Sequence, residues 1–439
     1  MTLIFDFAKT YTGAINVAEE TYPCSLSFPD NEIVFTVISG ERVATKDHRE
    51  LFDLYGYIST EQGIRNFKAL RTMQTSNSYY WTSYSKQQFQ AGGLMVSHEK
   101  NDIDLTKFRQ VNVVFDKLDA TGIFIDVKVN PKDPTKFTIK RDFEELTLLN
   151  LSGSSVTLNN PYSWGFGAGK KKKFVVSIEP FLTYLPAEAT DEQELNVYSI
   201  QMSWFFQLLF GLRQRITGLI YFDPPVDELP ENDSPIPYYY YDRAMIHNVQ
   251  VGGYSGIPPL LRLEELLAEL PVCFEAWHRF NSKQKMIIRL FFNALHSKEI
   301  IFDDRFKNYC AIVQGLDAFH SGSVKSTVKG EMNRKLHNAL DQDMATILFK
   351  AFGQDFIYKL FELIGDQRDL FQHLNKPIKF DFNSDQSDMI AVNQLLTLII
   401  KYHLWKAVRL PQDKINELTQ RDLQWFKTDL YSLKRRLNV

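Results

Sequence analysis

Gly252-Gly253-Tyr254-Ser255-Gly256-Ile257-Pro258-Pro259 divides the 439-residue chain into two stretches whose apolar residues recur with different periods. Glycine and proline at this density sustain neither helix nor strand, so the segment reads as an interdomain linker. Upstream, short alternating or β-branched runs cover Glu32–Ser39, Tyr79–Phe89, Phe108–Leu118, Gly122–Val129, Phe137–Lys140, Leu146–Leu158 and Phe174–Ile178. Turn-formers such as Asn130-Pro131-Lys132-Asp133-Pro134 and Ser152-Gly153-Ser154 punctuate them. Short strands at this spacing predict a sandwich or barrel. Asp191–Leu212 departs from the pattern, with acids first and then apolar residues at helical intervals ending near Gly211; it predicts one long helix. A strand is expected at Ile216–Phe222, an exposed loop at the proline-rich Asp223–Pro237, and a last strand-like piece at Tyr238–Val251.

Downstream the period is helical. Helices are expected near 260–269, 282–297, 301–320, 327–339, 342–364, 366–374, 385–408 and 411–437, with Pro411 at the first position of the last. The apolar residues Met389, Val392, Leu395, Leu396, Ile399 and Ile400 form one broad buried face. The fold class is therefore α+β multidomain: a β-rich N-terminal domain at 1–252, sandwich- or barrel-like, then an all-α bundle at 257–439.

Charge and cysteine content exclude several function classes. Fifty Lys+Arg against 53 Asp+Glu leave a net charge of −3, which gives no global signature of a nucleic-acid binder. The balance is uneven, about −7 over residues 1–256 and +4 over 257–439. Cys24, Cys273 and Cys310 form no CxxC pair, so neither a disulfide framework nor a thiolate metal site is suggested. The N-terminus carries Asp6 within its apolar stretch and has no basic leader, and no segment approaches a membrane span of about 18 apolar residues. These features predict a cytoplasmic protein with reduced thiols.

Among motifs, Gly165-Phe166-Gly167-Ala168-Gly169-Lys170, followed by Lys171–Lys173, lacks the spacing and the hydroxyl residue of a phosphate loop. It reads as a glycine-rich hairpin with a basic tip. No HExxH, Cys/His quartet or GxSxG elbow occurs, so no metal and no cofactor is expected. The stretch with chemical content is Gly365-Asp366-Gln367-Arg368-Asp369-Leu370-Phe371-Gln372-His373. On a helix Asp369 and His373 lie one turn apart, where a carboxylate can fix the imidazole tautomer and favour its charged form. The long fork of Arg368 can fold back toward them. An imidazole to move protons and a guanidinium to balance charge on five-coordinate phosphorus suffice for metal-free RNA cleavage. Arg289 and His296 form a similar pair in an apolar helix, and read as a surface arginine and a helix-end histidine.

Several stretches carry a family likeness. Phe306–His320 (FKNYCAIVQGLDAFH), the Arg368–His373 motif, and Leu395–Ile415 (LLTLIIKYHLWKAVRLPQDKI) appear in the order of an early helix, an Arg-polar-x3-His motif and a closing helix. That order resembles the HEPN domain of ApeA-like anti-phage proteins. Ser199–Phe222, a helix ending LLFGL and then a strand, is similar to the N-terminal region of the same family. The resemblance implies an abortive-infection effector: a metal-independent endoribonuclease using transesterification through the 2′-OH, with RNA as substrate, a homodimer formed through the HEPN domain, and a phage-derived trigger protein. It assigns His373 as general acid/base, Arg368 as transition-state clamp and Asp369 as the polar partner. It also implies a sensor or regulatory role for residues 1–252. Asn is frequent at the second motif position; Asp369 stands there instead and partly offsets Arg368. A catalytically silent HEPN dimer that binds RNA, a nucleotide or a protein is the alternative.

Overall fold

The computed structural model describes residues 4–17, 20–40, 51–80, 84–97, 107–118, 121, 125–130, 133–141, 143–166, 174–223, 225–229, 236–251, 259–297, 302–319, 331–372 and 386–438. Two compact units emerge: Met1–Gln207 with Leu212–Pro258, and Leu208–Gly211 with Pro259–Val439. The first is β-rich and the second helical.

The first unit begins with six antiparallel strands, β1 (Tyr11–Val17), β2 (Glu20–Ser27), β3 (Ile33–Ser39), β4 (Phe52–Thr60), β5 (Gly63–Tyr80) and β6 (Tyr84–Ala91). They pair in the order β1-β2-β3-β6-β5-β4, and β4 returns to β1, so the sheet closes into a barrel. Alternate residues point inward along each strand, and Ile15, Leu26, Phe35, Leu54, Ile58, Phe67 and Phe89 fill the interior. The rings of Phe35 and Phe67 stack at 4.9 Å. The closing seam is tight: a Cβ on Gly13 would lie 2.0 Å from the Tyr57 carbonyl oxygen, and one on Gly56 would lie 2.0 Å from that of Ala14. Only glycine permits this approach of β1 to β4.

Strand β5 changes partners partway along. Asn66–Leu70 pair with β7 (Gly93–Ser97), whereas Met73–Tyr80 pair with β6. Between these segments Arg71 adopts φ +52°, a left-handed conformation that costs a side-chain-bearing residue free energy. Three hydrogen bonds hold it: its amide N–H donates to Asp53 Oδ1 (3.1 Å), and its guanidinium donates to Glu192 Oε1 (2.9 Å) and Tyr240 Oη (3.1 Å). The sheet continues outward from β7 through β17 (Tyr238–Tyr241), β16 (Ile216–Phe222), β8 (Gln110–Phe115), β15 (Phe181–Leu185), β12 (Ser154–Asn159) and β11 (Glu145–Leu151). Two separate hairpins, β9 (Ile125–Asn130) with β10 (Asp133–Arg141) and β13 (Tyr162–Phe166) with β14 (Phe174–Ile178), complete the strands among the described residues.

Helix α1 (Glu192–Phe210) crosses this sheet. Phe206 packs on Phe115, Tyr198 stacks on Tyr184 at 4.1 Å, and Asn196 accepts from the Tyr221 hydroxyl. Its first turn is capped by Asp191, which accepts from the Glu194 amide.

The helical unit contains α3 (Leu270–His278), α4 (Ser282–His296), α5 (Phe302–Gly315), α6 (Glu331–Ala339), α7 (Gln342–Phe352), α8 (Gln354–Gln372), α9 (Gln386–Ala407) and α10 (Gln412–Arg436). Helix α9 is its axis. Ala391, Val392, Leu395, Leu396, Leu398, Ile399, Ile400 and Leu404 are all buried, so the helix is enclosed on nearly every side. The Trp405 indole donates to the Leu208 carbonyl at 2.8 Å, within the same unit.

Several sequence expectations are corrected. Tyr79–Phe89 is not one strand but the two arms of the β5–β6 hairpin, with Tyr80 opposite Tyr84. After β17 the expected strand at Tyr238–Val251 becomes helix α2 (Arg243–Val251), because Asp242 caps it by accepting from the Met245 amide at 2.8 Å. A helix over 260–269 shrinks to a single turn at Leu263–Glu265; the real helix is α3, whose first turn holds Pro271. The break expected at Gly365 lies instead at Gly353, whose φ of +90° ends α7. Pro411 is the N-cap of α10, one position before the helix begins.

Candidate active site at the end of helix α8

Because Gly353 rather than Gly365 is the breaker, the Arg-Asp pair lies in the last two turns of a continuous helix and not at a helix start. Gly365 sits inside α8 facing α6, where an added Cβ would lie 3.5 Å from the backbone nitrogen and Cβ of Asn333, an ordinary contact distance. The other side of α8 meets α5. Phe371 packs on Phe306 with centroids 5.8 Å apart, and the Lys307 ammonium lies 4.9 Å from the Phe371 ring centre.

Arg368 and Asp369 are brought together. Arg368 Nη1 donates to Asp369 Oδ1 at 3.0 Å, with the side chains 21% and 31% exposed. The guanidinium is held at a half-buried position near the C-terminal end of a 19-residue helix, where the backbone dipole favours positive charge. His373 lies outside the described residues, as do Gly167–Lys173 of the basic loop and His320. The loop's flanks are the paired strands β13 and β14, so no helix follows the glycines.

Three buried amides lie on the three helices α5, α6 and α8. Gln367, 2% exposed, has no hydrogen-bond partner at either Oε1 or Nε2 among the described residues. Asn333 Oδ1 on α6 and Gln314 Nε2 on α5 are likewise buried without one. A buried polar group left unpaired costs about 1–3 kcal/mol. They were not singled out from the sequence. A signal existed for one: Gln367 continues the buried stripe Phe356, Leu360, Phe361 and Ile364, where an apolar residue would be expected.

The thiol next to this site is buried. Burial pushes the Cys310 thiol up, opposed only by the charge of Arg368, and burial pushes Cys24 and Cys273 up to about 12. All three cysteines are free and buried. Three other histidines of the helical unit are accounted for locally. His403 is buried and bonded to the Ala339 carbonyl at 2.9 Å, and His337 packs against Tyr358 and Phe361. His296 ends α4 beside Phe292, and Arg289 is exposed on that helix. Among the described residues no three His, Cys, Asp or Glu side chains gather as a metal site, and no helix is long and apolar enough to cross a membrane.

What the arrangement can do follows from its parts. A phosphate oxygen can displace Asp369 from the guanidinium. Comparison with known proteins finds no match to a family model, to a curated protein or to a solved structure.

Proposed function

We propose that the helical unit is a HEPN-type ribonuclease domain that cleaves RNA without a metal ion, and that the chain is a cytoplasmic anti-phage effector acting by abortive infection. The observation that carries the reading is Arg368, half-buried at the end of α8 with Asp369 on its fork and the partnerless Gln367 beside it in the chain. In the proposed step His373 accepts the 2′-OH proton, and the O2′ attacks phosphorus while the P–O5′ bond breaks. The leaving O5′ takes a proton from an acid. Products are a 2′,3′-cyclic phosphate and a 5′-hydroxyl. Arg368 balances the extra charge on the five-coordinate phosphorus, a role in which one preorganised donor is worth about 10²–10³ in rate.

One motif supplies a single imidazole, whereas the step needs a base and an acid. Two copies related by a two-fold axis supply both, so the proposed active form is a homodimer. The β-rich unit is assigned to sensing a phage-derived trigger, since loops on a rigid β scaffold commonly carry recognition. Induced expression of wild type and His373→Ala, followed by sequencing of cellular RNA ends, tests the reading. Accumulation of cyclic-phosphate and 5′-hydroxyl ends with wild type alone is expected. Equal ends in both strains would leave a catalytically silent binding dimer as the better account.

A further inference from the structure

A cleft of about 250 Å³ opens between α5, α9 and α10, and it shares no residue with the Arg368 region. That volume is below the roughly 300–1,000 Å³ of drug-sized pockets, so it suits one base or nucleoside and not a dinucleotide. Its lining distinguishes donors from acceptors. Asn393, 5% exposed, donates through Nδ2 to the Phe302 carbonyl at 3.1 Å, which fixes the amide and leaves Oδ1 as an acceptor with no partner among the described residues. Gln394 Oε1 is a second buried acceptor in the same state. The cations of the cleft are already engaged. Arg305 donates to the Ala294 and Ser297 carbonyls that end α4, and Lys401 pairs with Asp422 at 2.7 Å. The cleft therefore asks for N–H donors rather than for an anion. Trp425, 66% exposed, stands at its edge as a free aromatic face. Such faces stack on heteroaromatic rings.

We propose that this cleft binds one amino-bearing purine, either as a free nucleoside or nucleotide or as an unstacked base of a single strand. The ring stacks on Trp425, and its N–H groups donate to Asn393 Oδ1 and Gln394 Oε1. The inference does not depend on RNA cleavage, because its readout is equilibrium binding.

Calorimetric titration of the full chain with adenosine, guanosine and purine riboside tests it. Purine riboside lacks the exocyclic amine and should bind about tenfold more weakly than adenosine, the factor that one hydrogen bond of about 1.4 kcal/mol represents. Trp425→Ala should weaken adenosine about fivefold or more through lost stacking. Gln394→Met, which keeps volume and removes the acceptor, should shrink the preference for the amine; circular dichroism establishes that both variants fold. A deoxyoligoadenylate, which has no 2′-OH to react, separates the sources: tighter binding than adenosine assigns a strand base, and weaker binding assigns the free nucleoside. The proposal is overturned if adenosine, guanosine and the oligomer all fail to bind below about 1 mM. Equal affinity for adenosine and purine riboside, or titrations unchanged in both variants, overturns it as well.

Discussion

The guanidinium of Arg368 donates to the carboxylate of its own chain neighbour, Asp369, at 3.0 Å. Consecutive helix residues point about 100° apart, so the arginine must turn back along α8 to make this bond. The pair keeps a charged fork at the helix end while competing with whatever anion would approach it. Asp369→Asn removes that competition. An exposed or half-exposed ion pair is worth about 0.2–1 kcal/mol, so RNA binding should tighten by about 1.4- to fivefold. Fluorescence anisotropy at one fixed salt concentration measures this, and unchanged or weaker binding would contradict the competition.

Gln367 offers a separate test, in which stability and function move in opposite directions. Replacing its buried, partnerless amide by the similar volume of methionine should raise stability by about 1 kcal/mol. RNA cleavage should fall at the same time, as expected of a residue kept for a site. A thermal melt showing that Gln367→Met is destabilised would mean that the amide is satisfied in solution.

The barrel seam makes a prediction about folding alone. Gly56→Ala would place a Cβ 2.0 Å from the Ala14 carbonyl oxygen, a backbone atom that cannot rotate away. A loss of about 1–3 kcal/mol or more is expected, the range for overpacking a well-filled interior. Urea unfolding followed by tryptophan-independent far-ultraviolet circular dichroism reports it. Wild-type stability in this variant would show that β1 and β4 are farther apart than described.

Much of this architecture was legible in the sequence, and the reasons for the rest are physical. Ile216–Phe222 and the long helix beginning near Asp191 stood out by local period and by their boundaries. Barrel closure did not, because it depends on which strands pair, on glycines that matter only at the β1–β4 contact, and on the partner change at Arg71. Gly353 and Gly365 look alike as helix breakers, yet only Gly353 takes a positive φ, and Gly365 stays helical within α8. At the site, Arg368 and Asp369 were visible as neighbours in one motif, whereas the burial of the Gln314 and Asn333 amides depends on tertiary packing that local sequence does not show.

Asp341 links the pH dependence of stability to the helical unit. Its carboxylate caps α7 through the Met344 amide, accepts from the Tyr402 hydroxyl at 2.6 Å and pairs with Lys406. Burial pushes its pKa up, but the hydrogen bonds from Lys406, Tyr402 and the Met344 amide outweigh it and hold the carboxyl below its usual value. A depressed carboxylate contributes stability that is present above the unfolded pKa of about 3.9 and is lost as pH falls through the folded value. Wild type should therefore lose stability below about pH 4, and Asp341→Asn, which keeps a good N-cap, should lose less over that window. Parallel acid-unfolding slopes for the two proteins would rule out this linkage.

The central claim is that Arg368 and His373 cleave RNA without a metal. The most direct measurement is cleavage of a labelled RNA by the purified full chain in EDTA, run beside Arg368→Ala and His373→Ala. Wild type should cut and leave a 2′,3′-cyclic phosphate. Both variants should lose about 10²–10⁴ in rate, with stability changed by no more than about 1 kcal/mol. Cleavage that requires added Mg²⁺, or that persists in His373→Ala, would contradict the account.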